Sequence, residues 1–317
     1  MVDIFIDTDD SKLEKRGILK GVMQLIDLSR ANELYSNFGT AVEVSGGSGA
    51  NTMVGLASLG LNVAYIGKVK SDTLGKKFKT DLLENNVFFN TPFSKNSYAG
   101  ETGRCIVYVT PDGERSLNTY LGVTEYLEVA DIDFSIISNS HWLYLEGYRL
   151  DGEKSELAFR RAIETAKKNS SRIALTLSDP FCVERNRFLF EDLVVNHTDL
   201  LFCNEAELKL LYETDNLEEA VLKGSSHVKT LACTVAEKGV IIGHNQEITT
   251  VPAAPVKVRD SNGAGDLFAA GFLFGMIKEK NIEICGKMGN LAASEIIGHL
   301  GARPNVSLED LFQKFGF

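Results

Sequence analysis

The chain has 317 residues, 44% of them hydrophobic, and a net charge of −10, which is enough apolar sequence for one large α/β domain or two average ones. The acidic balance excludes a nucleic-acid or anionic-membrane surface as the general partner, because such binding needs clustered Lys and Arg, and the longest apolar run, 267–277, is too short to span a bilayer. Five cysteines without a C-x-x-C pair, and a start unlike a signal peptide, predict reduced core thiols in a cytosolic protein.

The first predicted element is a short apolar strand that opens directly at Met1, with Asp3 near its start. If this strand is internal to a sheet, we expect its first half to be missing. Alternating segments follow at 38–45, 104–110 and 115–120, and the turn 111–113 (Pro-Asp-Gly) joins the last two. Such a turn predicts a hairpin. We therefore expect antiparallel strands, roughly within 4–45 and 87–120, to form a small β-sheet lid.

A glycine-rich stretch, Ser45-Gly-Gly-Ser-Gly-Ala-Asn-Thr52, precedes a predicted helix over 53–59 and a predicted strand over 62–67. Paired glycines before a helix let backbone N–H groups contact a ligand, and Asn51 offers both a donor and an acceptor to a diol. The alternative is a glycine-rich turn with a helix cap. Taken alone, this stretch does not decide between the two.

From about residue 140, short apolar strands alternate with helical segments; the strands fall at 141–147, 172–178, 199–203 and 228–234. Nearly continuous apolar strands between helices indicate a parallel sheet covered on both faces. The predicted fold class is α/β: a doubly wound, mostly parallel sheet with helices on both faces and a small β-sheet lid. We expect a single domain over 1–317 with core segments 46–86 and 121–317, and the lid over the carboxyl edge where α/β proteins bind ligands.

The segment Asp260-Ser-Asn-Gly-Ala-Gly-Asp266 leads into the apolar stretch 267–277. Phosphate is favoured at such a helix N-terminus by the dipole and by three converging N–H groups, those of Gly263, Ala264 and Gly265. A carboxylate there would repel a resting phosphate, so we interpret Asp266 as the general base for a hydroxyl that attacks phosphorus. The alternative is a buried helix with an acidic residue in its first turn.

Two other phosphate-binding motifs are excluded. A dinucleotide fingerprint requires G-x-G-x-x-G, but Phe268 stands three residues after Gly265. A P-loop requires Gly-Lys followed by Ser or Thr, and the Gly-Lys pairs of this chain are followed by Val69, Lys77 and Met288.

Together, the two glycine-rich elements resemble the paired signatures of the ribokinase (PfkB) family of sugar and nucleoside kinases, in order and spacing over essentially the whole chain. Three further segments are similar to family elements: 204–207 (Asn-Glu-Ala-Glu), 234–239 (Thr-Val-Ala-Glu-Lys-Gly) and 301–304 (Gly-Ala-Arg-Pro). Within the family the chain is most similar to the adenosine kinase branch, and the segments that carry this likeness are 20–27, 45–48, 112–119, 176–181 and 292–297.

The resemblance implies a ribokinase-like fold, and it implies roles for residues on the substrate side. Asp3, Gly47 and Asn51 would hold vicinal hydroxyls of a ribose-like substrate. Arg115 would swing towards the transferring phosphate; without the resemblance it is a solvated hairpin charge. Phe181 would be an aromatic wall for a base, with plain core packing as the alternative.

The resemblance also implies a nucleotide side. Asn204 and Glu207 would act through water on Mg²⁺ and the ATP phosphates, since Mg²⁺ takes few direct protein ligands, and they would also suit a helix cap and a first-turn acid. The ATP ribose and adenine would be flanked by Thr234, Lys238, Gly239 and Asn290. Asp260 would help to place a monovalent cation such as K⁺ beneath the anion site.

The predicted function is ATP- and Mg²⁺-dependent phosphorylation of a primary hydroxyl, converting adenosine to AMP. One alternative is a kinase of the same family that acts on fructose, ribose or a ketodeoxy sugar, and another is a nucleoside-binding regulatory protein with little turnover. Family members have residues before the position of Asp3 that complete the first strand, so we expect the short start to weaken substrate affinity more than chemistry. We expect a small-molecule partner, a monomer or homodimer, and a cytoplasmic location.

Overall fold

The computed structural model describes residues 1–36, 42–95, 98–150 and 152–317. Within these ranges the strands are β1 (Val2–Asp7), β2 (Met23–Leu25), β3 (Val42–Ser45), β4 (Val63–Ala64), β5 (Val87–Phe88), β6 (Arg104–Val109), β7 (Arg115–Tyr120), β8 (Trp142–Glu146), β9 (Arg172–Thr176), β10 (Leu200–Asn204), β11 (Thr230–Thr234), β12 (Val240–His244) and β13 (Glu247–Val251). The helices are α1 (Asp10–Lys15), α2 (Leu28–Ser36), α3 (Ser48–Ser58), α4 (Thr73–Glu84), α5 (Phe134–Ser138), α6 (Glu153–Lys168), α7 (Pro180–His197), α8 (Glu205–Leu211), α9 (Leu217–His227), α10 (Ala264–Ile277), α11 (Ile282–Ile297) and α12 (Leu308–Lys314).

The larger sheet has the strand order β13-β12-β11-β10-β9-β8. Strands β8 to β11 are parallel, and β12 and β13 extend one edge in antiparallel pairing. Because successive side chains of a strand point to opposite faces, Phe202 of β10 packs on Phe268 and Phe272 of α10, whereas Leu201 belongs to the core formed with α6 to α9. The predicted doubly wound α/β fold is confirmed.

The smaller sheet has the order β2-β7-β6-β1-β3. The predicted hairpin is confirmed, since β6 and β7 pair antiparallel and the Gly113 N–H donates to the Thr110 carbonyl in the turn at 2.8 Å. The expected antiparallel pairing also holds for β1 with β3, but β1 pairs parallel with β6, and β2 pairs parallel with β7. Only a tight turn forces antiparallel pairing, and long stretches of chain separate each of these two pairs.

Two expectations about the lid segments need adjustment. Within 87–120, the strand β5 pairs with β4 in a separate two-stranded sheet and does not join the lid. Of the alternating segment 38–45, residues 38–41 lie outside the described ranges, and β3 is the described part. Strand β1 is internal to the lid sheet, because Val2 already pairs with Ser45 of β3 and with Arg104 of β6.

Helix α10 is apolar on every side because it is packed between α3 and α11. Glycines make the close approach possible: a Cβ on Gly55 of α3 would lie 2.8 Å from the Ala270 Cβ, and one on Gly271 would lie 2.5 Å from the Met288 carbonyl oxygen. This packing holds the N-terminus of α10 beside the N-terminus of α3. The two glycine-rich elements predicted from the sequence therefore meet.

The cysteines fit the core, as predicted. All five are buried, and none of them is in a disulfide bond. In the part of the chain that the structure describes, no helix combines the length and apolar character needed to cross a membrane.

Candidate active site

A cavity of about 1750 Å³ lies between the lid sheet and the carboxyl ends of the parallel strands. Glu146, Asn204 and Thr234, the last residues of β8, β10 and β11, line its floor, and Leu117 of β7 lines the lid side. Pockets for a single ligand usually measure about 300–1,000 Å³. The cavity is therefore large enough for two substrates at once.

Asp266 lies in the first turn of α10, and its carboxylate reaches the start of α3. The Ser48 hydroxyl donates to Oδ1 at 2.7 Å, and the Asn51 side-chain amide donates to Oδ2 at 2.8 Å. Asn51 and Asp266 are 215 positions apart in the chain. The packing of α3 on α10 thus brings together the proposed base and a residue predicted to bind the substrate diol.

The electrostatic surroundings make Asp266 a better base than an ordinary aspartate. Burial raises its pKa to about 6, and the nearby Glu146 carboxylate adds to the rise against the hydrogen bonds from Ser48 and Asn51. A carboxyl group with this pKa is ionised at neutral pH and still accepts a proton readily. This is the behaviour required of a general base for a hydroxyl.

The turn before Asp266 has the geometry of an anion site. Gly263 adopts φ 77°, and a Cβ there would lie 2.7 Å from the Ala302 Cβ, so glycine is required. Nothing lies within 4 Å of a Cβ built on Gly265, which leaves that face of the turn open to a ligand. The Ala264 N–H makes only a long 3.3 Å bond to the Ser261 carbonyl. Phosphate binding by this turn stays a prediction.

The residues predicted to hold the substrate hydroxyls also come together. Asp3 is 8% exposed, and a Cβ on Gly46 would lie 2.1 Å from its Oδ2, so the glycine makes room for the carboxylate. Burial raises the pKa of Asp3, against the opposing charges of the Met1 amino group and Arg303. Asn51 keeps a buried Oδ1 without a partner among the described residues. Asp3, Gly47 and Asn51 all line the cavity.

Two site residues were missed in the sequence. Glu146 ends β8 and accepts a hydrogen bond from the Gly49 N–H at 2.9 Å, which places a third carboxylate beside Asp3 and Asp266. Its signal was available, because it is a carboxylate at the end of a predicted parallel strand. Arg149 follows it, lines the cavity and donates to the Thr124 hydroxyl at 3.0 Å.

Arg303 supports the site from below. Its guanidinium donates to the Ser45 carbonyl at 3.0 Å and to the Ala50 carbonyl at 2.9 Å, so it ties the end of β3 to the first turn of α3. Burial lowers its pKa, against the charges of Asp81 and Asp3. The family-like segment 301–304 therefore acts here by fixing the glycine-rich loop.

Arg115 and Asp260 form an ion pair. Arg115 begins β7 in the lid, and its side chain is 11% exposed. The alternative of a solvated hairpin charge is therefore wrong. Asp260 precedes the turn 263–265, and its fully buried carboxylate also accepts the backbone N–H groups of Asn262 and Gly301.

Four residues are predicted to flank the ATP ribose and adenine, and two of them line the cavity. Thr234 and Lys238 line the cavity. Gly239 has φ 96°, and a Cβ there would lie 2.1 Å from the Val251 carbonyl oxygen, so only glycine fits. Asn290 instead donates to the carbonyl of Val251 at 3.2 Å and to that of the next residue at 2.8 Å, away from the cavity lining. Asn290 fastens α11 to the end of β13, and its contact with ATP stays a prediction.

Asn204 and Glu207 form a capping box at the start of α8, which confirms the helix-capping interpretation. The Glu207 carboxylate accepts the Asn204 backbone N–H at 3.0 Å and its side-chain amide at 2.7 Å, and Asn204 Oδ1 accepts the Glu207 N–H at 2.9 Å. Burial raises the pKa of Glu207 to about 7, against the hydrogen bond from the Asn204 backbone. Both residues line the cavity with lone pairs to spare, which fits water-mediated contact with Mg²⁺. Among the described residues, no group of three or more His, Cys, Asp or Glu side chains is arranged to hold a metal directly.

Phe181 is the second residue of α7, which follows the Asp179 cap, and the residue is 46% exposed. The alternative of plain core packing is therefore wrong. The Arg185 guanidinium carbon lies 4.0 Å from the ring centroid, and both side chains line the cavity. The ring is available as one wall of a ligand site.

Known proteins share this architecture. Residues 11–309 match the family model of pfkB family carbohydrate kinases. The crystal structure of adenosine kinase from Sinorhizobium meliloti has a TM-score of 0.93 and 42% sequence identity, covering 100% of this chain and 97% of that one. A probable sugar kinase from Rhizobium etli CFN 42 has a TM-score of 0.93 and 39% identity, covering 99% and 96%. Adenosine kinase 2 of Arabidopsis thaliana is 26% identical, over 95% of this chain and 92% of its own.

A doubly wound α/β core, a β-sheet lid and a carboxylate inside a helix N-terminus define an ATP-dependent kinase for a carbohydrate or nucleoside hydroxyl. The chain belongs to the pfkB family of carbohydrate kinases. The resemblance found in the sequence is thereby confirmed. ATP is the co-substrate, used with Mg²⁺ as in the family.

Proposed function

We propose that the protein transfers the γ-phosphoryl group of ATP to the 5′-hydroxyl of adenosine, producing AMP and ADP. The observation that carries this proposal is the position of Asp266, whose carboxylate lies at the start of α10 and bonds Ser48 and Asn51 at the start of α3. The identity of 42% with a structure named as an adenosine kinase supports the same conclusion.

In the proposed reaction, Asp266 accepts the proton of the attacking hydroxyl as its oxygen bonds to the γ-phosphorus. The bond between that phosphorus and the bridging oxygen of ADP breaks, and the proton later passes from Asp266 to solvent. The amides of the turn 263–265 stabilise charge on the group in transfer. Mg²⁺, when bound, neutralises charge on the phosphates. Asn204 and Glu207 would hold it through water, and Thr234 and Lys238 would flank the nucleotide.

The lid side of the cavity favours a substrate that carries a base. Met23, Leu25, Val107 and Leu117 line it from three different strands, so an aromatic ring can bury apolar surface there. A sugar with hydroxyls on every carbon would leave some of them facing these side chains without partners. Each such buried, unpaired hydroxyl costs about 1–3 kcal/mol.

The cavity floor is the observation that favours a sugar as acceptor. The carboxylates of Asp3, Glu146 and Asp266 can each accept a hydrogen bond from a hydroxyl, so a sugar could be held by its own hydroxyls without a base. The two substrates differ in where they need polar partners: a nucleoside needs them only on the floor, and a free sugar needs them on the lid side as well.

A screen of acceptors tests the proposal. The protein is assayed with ATP and Mg²⁺ on adenosine, other nucleosides, ribose, fructose and a ketodeoxy sugar, with ADP formation as the readout. We expect the highest kcat/KM for adenosine. A higher kcat/KM for any free sugar would assign the protein to that sugar, and nucleoside binding by calorimetry without turnover would identify a regulatory binding protein.

A further inference from the structure

Asp260 is a carboxylate whose charge is already compensated by the protein. Oδ1 accepts the Asn262 N–H at 2.7 Å, Oδ2 accepts the Gly301 N–H at 2.9 Å, and the Arg115 guanidinium forms an ion pair with Oδ2. The Asp260 side chain is 0% exposed. An ionised carboxylate is stable in such a place only when it is both paired and hydrogen-bonded.

Arg115, the ion-pair partner of Asp260, is suited to a site without water. The Arg115 side chain lies beneath the lid, with its guanidinium carbon 5.5 Å from the centroid of the Phe5 ring on β1. A guanidinium is weakly hydrated and always charged. A second cation at Asp260 would meet repulsion from the guanidinium and would find Oδ2 already taken by two donors, Arg115 and the Gly301 N–H. The residues present therefore do not fit the monovalent cation that the family resemblance implies.

We propose that Arg115 is the built-in counter-ion of Asp260 and takes the place of a monovalent cation, so that turnover does not depend on K⁺. Arg115 acts here as a positioning residue, because it affects the turn 263–265 through Asp260 and Asn262.

The test compares melting temperature and rate in potassium and in tetramethylammonium chloride at equal ionic strength. We expect the wild-type protein to behave alike in both salts. Arg115→Met leaves Asp260 charged and unpaired, so it should melt lower by on the order of 5–10 °C in tetramethylammonium and recover part of that loss in potassium. Adding Asp260→Asn to Arg115→Met should remove the potassium response, because no charge then needs a partner.

Two further variants control for general damage to the lid. Arg104→Met removes another nearly buried lid arginine, which pairs with the exposed Glu101 carboxylate at 2.9 Å, and should lower the melting temperature equally in both salts. Arg115→Lys keeps the positive charge and should remain insensitive to potassium, which decides the question if Arg115→Met does not fold.

The results that would overturn the inference are a wild-type rate or melting temperature that rises in potassium, an Arg115→Met protein as stable as wild type in both salts, or a potassium response of Arg115→Lys. The kinetic part rests on the proposed kinase function, but the melting comparison does not. If no acceptor is phosphorylated, the proposed function fails and the melting data still decide whether Arg115 replaces the cation.

Discussion

Replacing Asp266 by Asn tests the assignment of the general base. The amide has the shape of the carboxyl group, and its Oδ1 can still accept the Ser48 hydroxyl. Its NH₂ group would face the NH₂ group of Asn51, but the Asn51 side chain can turn over, because its Oδ1 has no other partner among the described residues. The variant should therefore fold and bind substrate within a few-fold of wild type. Loss of a general base should lower kcat by about 10²–10⁴.

The same substitution should stabilise the protein, and the size follows from the pKa. The pKa of Asp266 is about 6, roughly 2 above that of an ordinary aspartate, which corresponds to about 3 kcal/mol at neutral pH as an upper bound. A raised carboxyl pKa means that the folded state is most favoured below about pH 4, and that this advantage is lost as the pH rises to about 6. The asparagine variant has no such loss. Its melting temperature should match wild type in acid and exceed it at neutral pH.

Two measurements decide the matter: steady-state ADP formation at neutral pH, and melting temperature across the pH range. A matched control is Asp310→Asn, which changes an exposed acid in the first turn of α12 and should alter neither quantity. Activity of Asp266→Asn within tenfold of wild type would refute the role of general base. A variant that is less stable than wild type at neutral pH would refute the burial argument.

Three further predictions concern neighbouring residues. The kcat/KM of the wild-type protein should fall below about pH 6 as Asp266 gains a proton. Asp3→Asn should raise KM for the nucleoside about tenfold or more and should keep this fall of kcat/KM in acid. If the fall is absent in that variant, it belongs to Asp3. Glu207→Gln should raise the Mg²⁺ concentration for half-maximal rate more than it changes KM, and an unchanged Mg²⁺ titration would leave Glu207 as a capping residue only. Gly265→Ala should keep the wild-type melting temperature, because its methyl group enters open space, but should lower kcat about tenfold or more, because that space is where the phosphate would bind. Gly46→Ala should lower the melting temperature, since its Cβ would lie 2.1 Å from Asp3. A larger loss of melting temperature in Gly265→Ala than in Gly46→Ala would contradict both placements.

The parts of the fold that follow from local sequence were predictable. Strands buried on both faces must be nearly continuous apolar runs, so 172–178 and 199–203 indicated a parallel sheet, and Pro111-Asp-Gly113 indicated the hairpin. The parallel pairing of β1 with β6 was not predictable, because no turn links the two strands.

The candidate site was predictable only where one segment carries the chemistry. The segment 263–266 carries both the glycine-rich turn and Asp266, so an anion site was one of its two interpretations, and the second glycine-rich element decided between them. Pairings between distant residues gave no signal: Arg303 reaches the Ser45 carbonyl across 258 positions, and Arg115 meets Asp260 only because the lid folds over the core. For Asn290, the family resemblance predicted contact with ATP, but the sequence did not show that its side-chain amide donates to the Val251 carbonyl at the end of β13.

Transfer of label from ATP to adenosine tests the central claim most directly. ATP labelled in its γ-phosphate is incubated with Mg²⁺, adenosine and the wild-type protein, or with its Asp266→Asn variant as control. The account predicts that the label appears in AMP, with one unlabelled ADP for each AMP, and that the variant forms almost none. Label that stays in ATP or is released as inorganic phosphate in the presence of adenosine, or AMP formed equally fast by the variant, would contradict it.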